Sequence, residues 1–135
     1  MKHTLIVLLA LCFAGCGKGE EARKNLTSEE TAEVIEKAIR KNIKKPSGEL
    51  TEADLEKVEE LNLSGTQISD AGLKELAELK NLNVLYLHAN PITDEGLKEL
   101  AKLERLILLQ LNYTKVTKAG IMELKKSLPK CTFSR

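Results

Sequence analysis

The chain has 135 residues, 21 of them Lys or Arg and 20 Asp or Glu, for a net charge of +1. That length allows one small domain, and the even charge argues against nucleic acid or an acidic membrane surface as a partner. Aromatic residues make up 3% and Trp is absent, so base-stacking platforms are not expected, while 42% apolar content suits a folded core.

The first sixteen residues, "MKHTLIVLLALCFAGC", carry one basic side chain, Lys2, and an apolar run from Leu5 to Phe13. The run is shorter than the roughly 20 residues a membrane span needs, and it fits the apolar region of a secretory signal. Ala14, Gly15 and Cys16 follow it. This resembles the cleavage motif of bacterial lipoproteins, with Phe13 where Leu is usual. The resemblance implies a signal peptide over residues 1–15 and a lipidated Cys16. It also implies attachment to a bacterial membrane, the outer membrane or cell surface rather than the inner one, since Gly17 is not the Asp of inner-membrane retention. A plain signal peptide is the alternative reading. Residues 16–25, ending in "GKGEEARKN", read as a polar tether reaching roughly 30 Å when extended.

Residues 26–58 read as a helical cap. "TSEETAEVIEKAIRKNI" places Ala32, Ile35, Ile39 and Ile43 on one stripe, with Val34 and Ala38 beside it. Thr27 and Glu30 form a capping-box pattern, and Pro46 and Gly48 end the helix. Thr51 and Asp54 mark a second short helix with Leu55 and Val58 facing inward.

From residue 59 the chain repeats itself. "LNLSGTQISDAGLKEL" (61–76), "LYLHANPITDEGLKEL" (85–100) and "LQLNYTKVTKAGIMEL" (109–124) align with a period of 24. Each copy switches from a period of two, a strand, to a period of three to four, a helix. Ser69, Thr93 and Thr117 are expected N-caps. The recurring Gly72, Gly96 and Gly120 imply that a side chain there would collide with the neighbouring unit. A single unit cannot bury its leucines, so the copies must stack, and the helical cap closes one end. "LKKSLPKCTF" holds one residue more than its equivalents, which sets Cys131 at the position of Leu82 and Leu106 and Phe133 at that of Val84 and Leu108. Cys131 is expected to be a buried core thiol. No C-terminal cap is recognisable, so the last parallel strand is expected to leave an open edge.

"LNVLYLHAN" (82–90) is the LxxLxLxxN motif as it stands, so the chain resembles the leucine-rich repeat family. "ITDEGLKEL" (92–100) is similar to the Cys-type subclass, in which a helix follows each strand. Thr66 and Thr114 stand where Asn or Cys is usual. The resemblance implies an α/β fold: a short solenoid, parallel strands on its concave face and helices on its convex face. Residues 59–135 would supply about three units and a terminal strand.

Side chains between the strand leucines point onto the concave face. They are Glu60, Asn62 and Ser64, then Val84, Tyr86 and His88, then Leu108, Gln110 and Asn112, with Tyr113 at the rim. Val84, Leu108 and Phe133 would make an apolar row beside Tyr86, which suits a protein ligand. No nucleophile–base set, metal-ligand spacing or glycine-rich phosphate loop is recognisable, so no cofactor, metal or catalytic residue is assigned. The reading is a non-enzymatic, membrane-anchored protein-interaction module of the bacterial envelope. A structural subunit self-associating through its C-terminal edge is one alternative. An intracellular repeat adaptor, if the N-terminus stays uncleaved, is the other.

Overall fold

The computed structural model describes residues 26–135; the expected signal peptide, lipidated Cys16 and tether lie outside the described residues. Helix α1 (Ser28–Ile43) starts on a capping box in which the Glu30 N–H donates to the Thr27 hydroxyl and the Thr27 N–H to the Glu30 carboxylate. It ends at Ile43, where Lys44 turns left-handed at φ 57° ahead of Pro46. Its buried stripe is Thr31, Ile35 and Ile39. Ala32, expected on that stripe, is exposed, and Thr31 takes its place. The buried Thr31 hydroxyl donates to the Thr27 carbonyl at 2.8 Å, so its methyl can pack without leaving a polar atom orphaned.

Helix α2 (Glu52–Leu55) has the expected Thr51–Asp54 capping box. Asp54 is 7% exposed. Its carboxylate accepts from Lys45 Nζ at 2.6 Å, Lys57 Nζ at 3.2 Å, and both the hydroxyl and N–H of Thr51. These donors, Lys45 foremost, hold it well below the usual carboxylate range. Val58 is fully buried, and Leu55 packs half-buried on the core.

Four three-residue strands follow: β1 (Glu60–Asn62), β2 (Val84–Tyr86), β3 (Leu108–Gln110) and β4 (Thr132–Ser134). They form one parallel sheet in chain order. Helices α3 (Asp70–Leu76), α4 (Asp94–Leu100) and α5 (Lys118–Ser127) alternate with them. Leu61, Leu85 and Leu109, then Leu63, Leu87 and Leu111, are at most 1% exposed and form the spine of a single apolar cluster. Leu76, Leu100 and Leu124 close it from the helix side.

Two polar devices join the units. The Asp70 carboxylate accepts from the Thr93 N–H (2.8 Å) and hydroxyl (2.6 Å), and Asp94 does the same for Thr117. Each helix thus anchors the N-cap of the next. The recurrent glycines make room for this: a Cβ on Gly96 would strike the Asp70 carboxylate and Leu73, one on Gly120 the Asp94 carboxylate, and one on Gly72 the Thr31 methyl. The second device is Asn90, 2% exposed. Its amide donates to the carbonyls of Leu63 and Leu87, and its oxygen accepts from the Ile68 N–H. The Thr66 and Thr114 hydroxyls donate to the carbonyls three residues back, Leu63 and Leu111, and that of Thr66 also reaches the Asn90 side-chain oxygen at 3.4 Å.

The last strand departs from the expected alignment. Cys131 does occupy the Leu106 position, its N–H donating to Leu128 as that of Leu106 donates to Leu103. Thr132 then enters the sheet at once and pairs with Leu108, while Phe133 pairs with Leu109. The extra residue in the α5 segment is offset by one fewer before β4. Phe133 therefore faces the core, half-buried, and Thr132 holds the outward position expected for it.

Candidate protein-binding face

Parallel register stacks the outward side chains into rows. The first is Glu60, Val84, Leu108 and Thr132; the second is Asn62, Tyr86, Gln110 and Ser134. Ladder bonds from Gly65 N–H to the His88 carbonyl and from Ala89 N–H to the Asn112 carbonyl extend the sheet past the strands and align Ser64, His88 and Asn112. The apolar row is thus shorter than expected, Val84 and Leu108 only, and ends in a Thr hydroxyl.

Some of these side chains serve the fold. The Asn62 carboxamide oxygen accepts from the Ser64 N–H, and that of Asn112 accepts from the Ser134 hydroxyl. Ser64 Oγ is turned inward and has no partner among the described residues. Tyr86 and Gln110 lie half-buried at the centre of the sheet, and His88 is exposed beside them. Among the described residues, these three side chains form no hydrogen bond within the chain, so their polar ends are free for a ligand.

Four three-residue strands spaced about 4.8 Å apart, rising about 3.3 Å per residue, give a face roughly 15 Å by 10 Å, about 150 Å². That is well below the roughly 800 Å² per partner of a standard interface, so a protein ligand must also reach the rims. Both rims carry exposed apolar groups. Tyr113 is 89% exposed, with left-handed backbone at φ 58° turning it out of the sheet. Ile107, at the opposite end of β3, is 57% exposed. Sequence reasoning missed Ile107; the signal was an apolar residue at the position held by Glu59 and Asn83 in the preceding units. Among the described residues, no three His, Cys, Asp or Glu side chains gather at metal-binding spacing. Burial pushes the Cys131 thiol up to about 11.

A family model described as leucine-rich repeats in two copies matches residues 56–102, the stretch that supplies β1, α3, β2 and α4. Residues 56–102 thus carry two leucine-rich repeats. Solved structures agree with that fold. An internalin from Listeria monocytogenes aligns with a TM-score of 0.57 and 24% identity, over 75% of this chain and 28% of that one. The Mex67:Mtr2 subunits of Chaetomium align with a TM-score of 0.55 and 21% identity, over 76% of this chain and 70% of that one. A leucine-rich repeat protein of Leptospira interrogans aligns over 46% of this chain and 16% of that one, at 29% identity and a TM-score of 0.39. The chain spans little more than a quarter of the internalin's length. None of the curated proteins matches the sequence. At these identities the first two likenesses establish the leucine-rich repeat fold.

Proposed function

We propose that this chain is a non-enzymatic leucine-rich repeat module that binds a protein ligand on its concave face. In this reading it is exported and held at a bacterial envelope by lipid on Cys16. The observation that carries the binding reading is Tyr86: it stands mid-sheet between Asn62 and Gln110, with its hydroxyl unspent within the described fold. A Tyr so placed buries area at low entropy cost and retains a polar handle. The non-enzymatic reading is supported by where the reactive groups are spent. Asp70 and Asp94 anchor N-caps, and the Cys131 thiol is protonated at neutral pH.

Site-specific photo-crosslinking in the producing cell tests the face. A photoreactive residue at Tyr86 or Leu108 should yield a heterologous protein adduct, and one at Glu78 on the convex side should not. Equal adducts at all three positions would sink the reading. The anchor is tested by mass spectrometry of the N-terminal peptide. A lipid-modified Cys16 and loss of membrane fractionation in Cys16→Ser are expected. An intact Met1 would instead favour the intracellular adaptor.

A further inference from the structure

β4 is the free edge of the sheet among the described residues. Along the sheet, alternate residues bond to opposite neighbours: the Tyr86 carbonyl accepts from Leu63 on one side, and the Leu87 N–H donates to Gln110 on the other. The Ser134 carbonyl is used by Leu111, so by the same alternation the Phe133 N–H and C=O point outward from β4. An apolar cleft of about 620 Å³ lies beside this edge, lined by Lys118, Ile121, Met122 and Arg135. Met122 is 68% exposed, while Ile121 and Phe133 are only half-covered.

The charge around this end is mainly basic, with the Asp94 carboxylate, spent on Thr117 and within electrostatic reach of Arg135, beside it. Residues 51–114 hold 12 acidic and 6 basic side chains; residues 115–135 hold 1 acidic and 6 basic. The acidic one, Glu123, is paired with Lys126. Lys118, Lys125, Lys130 and Arg135 all line the clefts at the edge. This argues against two obvious occupants. A further repeat of the same kind would need a carboxylate at position 118 to hold its N-cap Thr, as Asp70 and Asp94 do, and Lys118 inverts that charge. A second copy meeting edge to edge would bring two basic ends together.

We propose that the C-terminal end of the solenoid binds an extended acidic segment of another protein, which adds to β4 as a fifth strand. Main-chain bonds to Phe133 supply the pairing, apolar side chains of the segment cover Ile121 and Phe133, and its carboxylates meet Lys118, Lys125 and Arg135. Pairing through the backbone with alternate side chains in a groove is a known mode of peptide capture.

The test uses the full chain, isotope-labelled on backbone nitrogen, titrated with a capped peptide alternating Val and Glu. Saturable shifts of the Phe133 and Ile121 amides are expected. Binding should weaken roughly tenfold or more in a Lys118→Glu/Lys125→Glu variant of unchanged thermal midpoint, and weaken with added salt. Methylating the peptide's alternate amide nitrogens should abolish it. Equal binding by a Val/Lys peptide, or shifts confined to the Tyr86 row, overturns the proposal. So does sedimentation showing a dimer whose formation shifts the Phe133 amide, which would make the second copy the occupant.

Discussion

Left-handed backbone recurs at one position of the repeat: Gly65, Ala89 and Tyr113 have φ of 66, 55 and 58°. Only glycine occupies that region without steric cost. Ala89→Gly should therefore stabilise the fold by about 0.5–1 kcal/mol, read as a raised urea midpoint at unchanged slope. Gly96 has the opposite sign. At an unobstructed helix position Gly→Ala adds about 1 kcal/mol of stability. At Gly96 the new methyl would meet the Asp70 carboxylate and Leu73, both fixed by their neighbours, so Gly96→Ala should cost about 1–3 kcal/mol instead. A stabilising Gly96→Ala would show that the close packing of α3 and α4 is not what the glycine serves. Cys131 gives a chemical check on burial. With its thiol pushed up to about 11, only roughly 0.1% is thiolate at pH 8, so in a chain with Cys12 and Cys16 replaced by Ser it should react with a disulfide reagent only on unfolding.

At the scale of elements, the joints between units are polar and separable. Thr93→Val keeps the shape but removes the hydroxyl that donates to Asp70 and accepts from the Glu95 N–H, and should cost about 1–2 kcal/mol. The ladder also sets an acid limit. Hydrogen bonds from the Thr117 hydroxyl and N–H hold Asp94 below the ordinary carboxylate value, and Lys45 and Thr51 do so for Asp54. A lowered folded value contributes stability that is complete above the unfolded value near 3.9 and is lost as pH falls through the folded one. Urea midpoints should therefore be insensitive to Asp54 and Asp94 above about pH 5 and fall below pH 4, with a shallower fall in an Asp94→Asn variant.

These joints were only half legible in the sequence. The period of 24 located the strands, the buried leucines and the glycine clash, because each depends on one residue type recurring in register. The Asp–Thr ladder links residues 23 apart, so each partner was readable only as a local helix cap. Phe133 was misplaced because an insertion in the α5 segment and a deletion before β4 cancel, and only the pairing of Thr132 with Leu108 reveals the second. Ala32 was misplaced because apolar periodicity ranks Ala above Thr. Packing against Gly72 selected Thr31, whose hydroxyl is satisfied within its own helix. On the concave face, alternation placed Tyr86, His88 and Gln110 outward, but could not show that the Asn62 and Asn112 amides are partly spent on the fold or that the Ser64 hydroxyl turns inward.

For the molecule as a whole, stability is shared along a line, since each unit touches mainly its neighbours. The helical preface is then the element on which the first unit depends. α1 lays Thr31, Ile35 and Ile39 against α3 and β1, and Asn42 donates to the Glu60 carbonyl at 2.8 Å, closing the edge of β1 that has no strand partner. Without α1, Leu61, Leu73 and Gly72 would face water on one side, and so would the β1 backbone. Burying an Ile side chain is worth about 1.5–3 kcal/mol, so losing Ile35 and Ile39 alone is comparable to a large part of the stability of a domain this small. A chain lacking residues 1–45 should therefore lose cooperative urea unfolding and bind a hydrophobic dye, whereas one lacking only residues 1–25 should unfold as the full chain does. Retention of a sharp transition at the same midpoint without α1 would mean that the repeats close their own end, and that the preface serves a partner rather than the core.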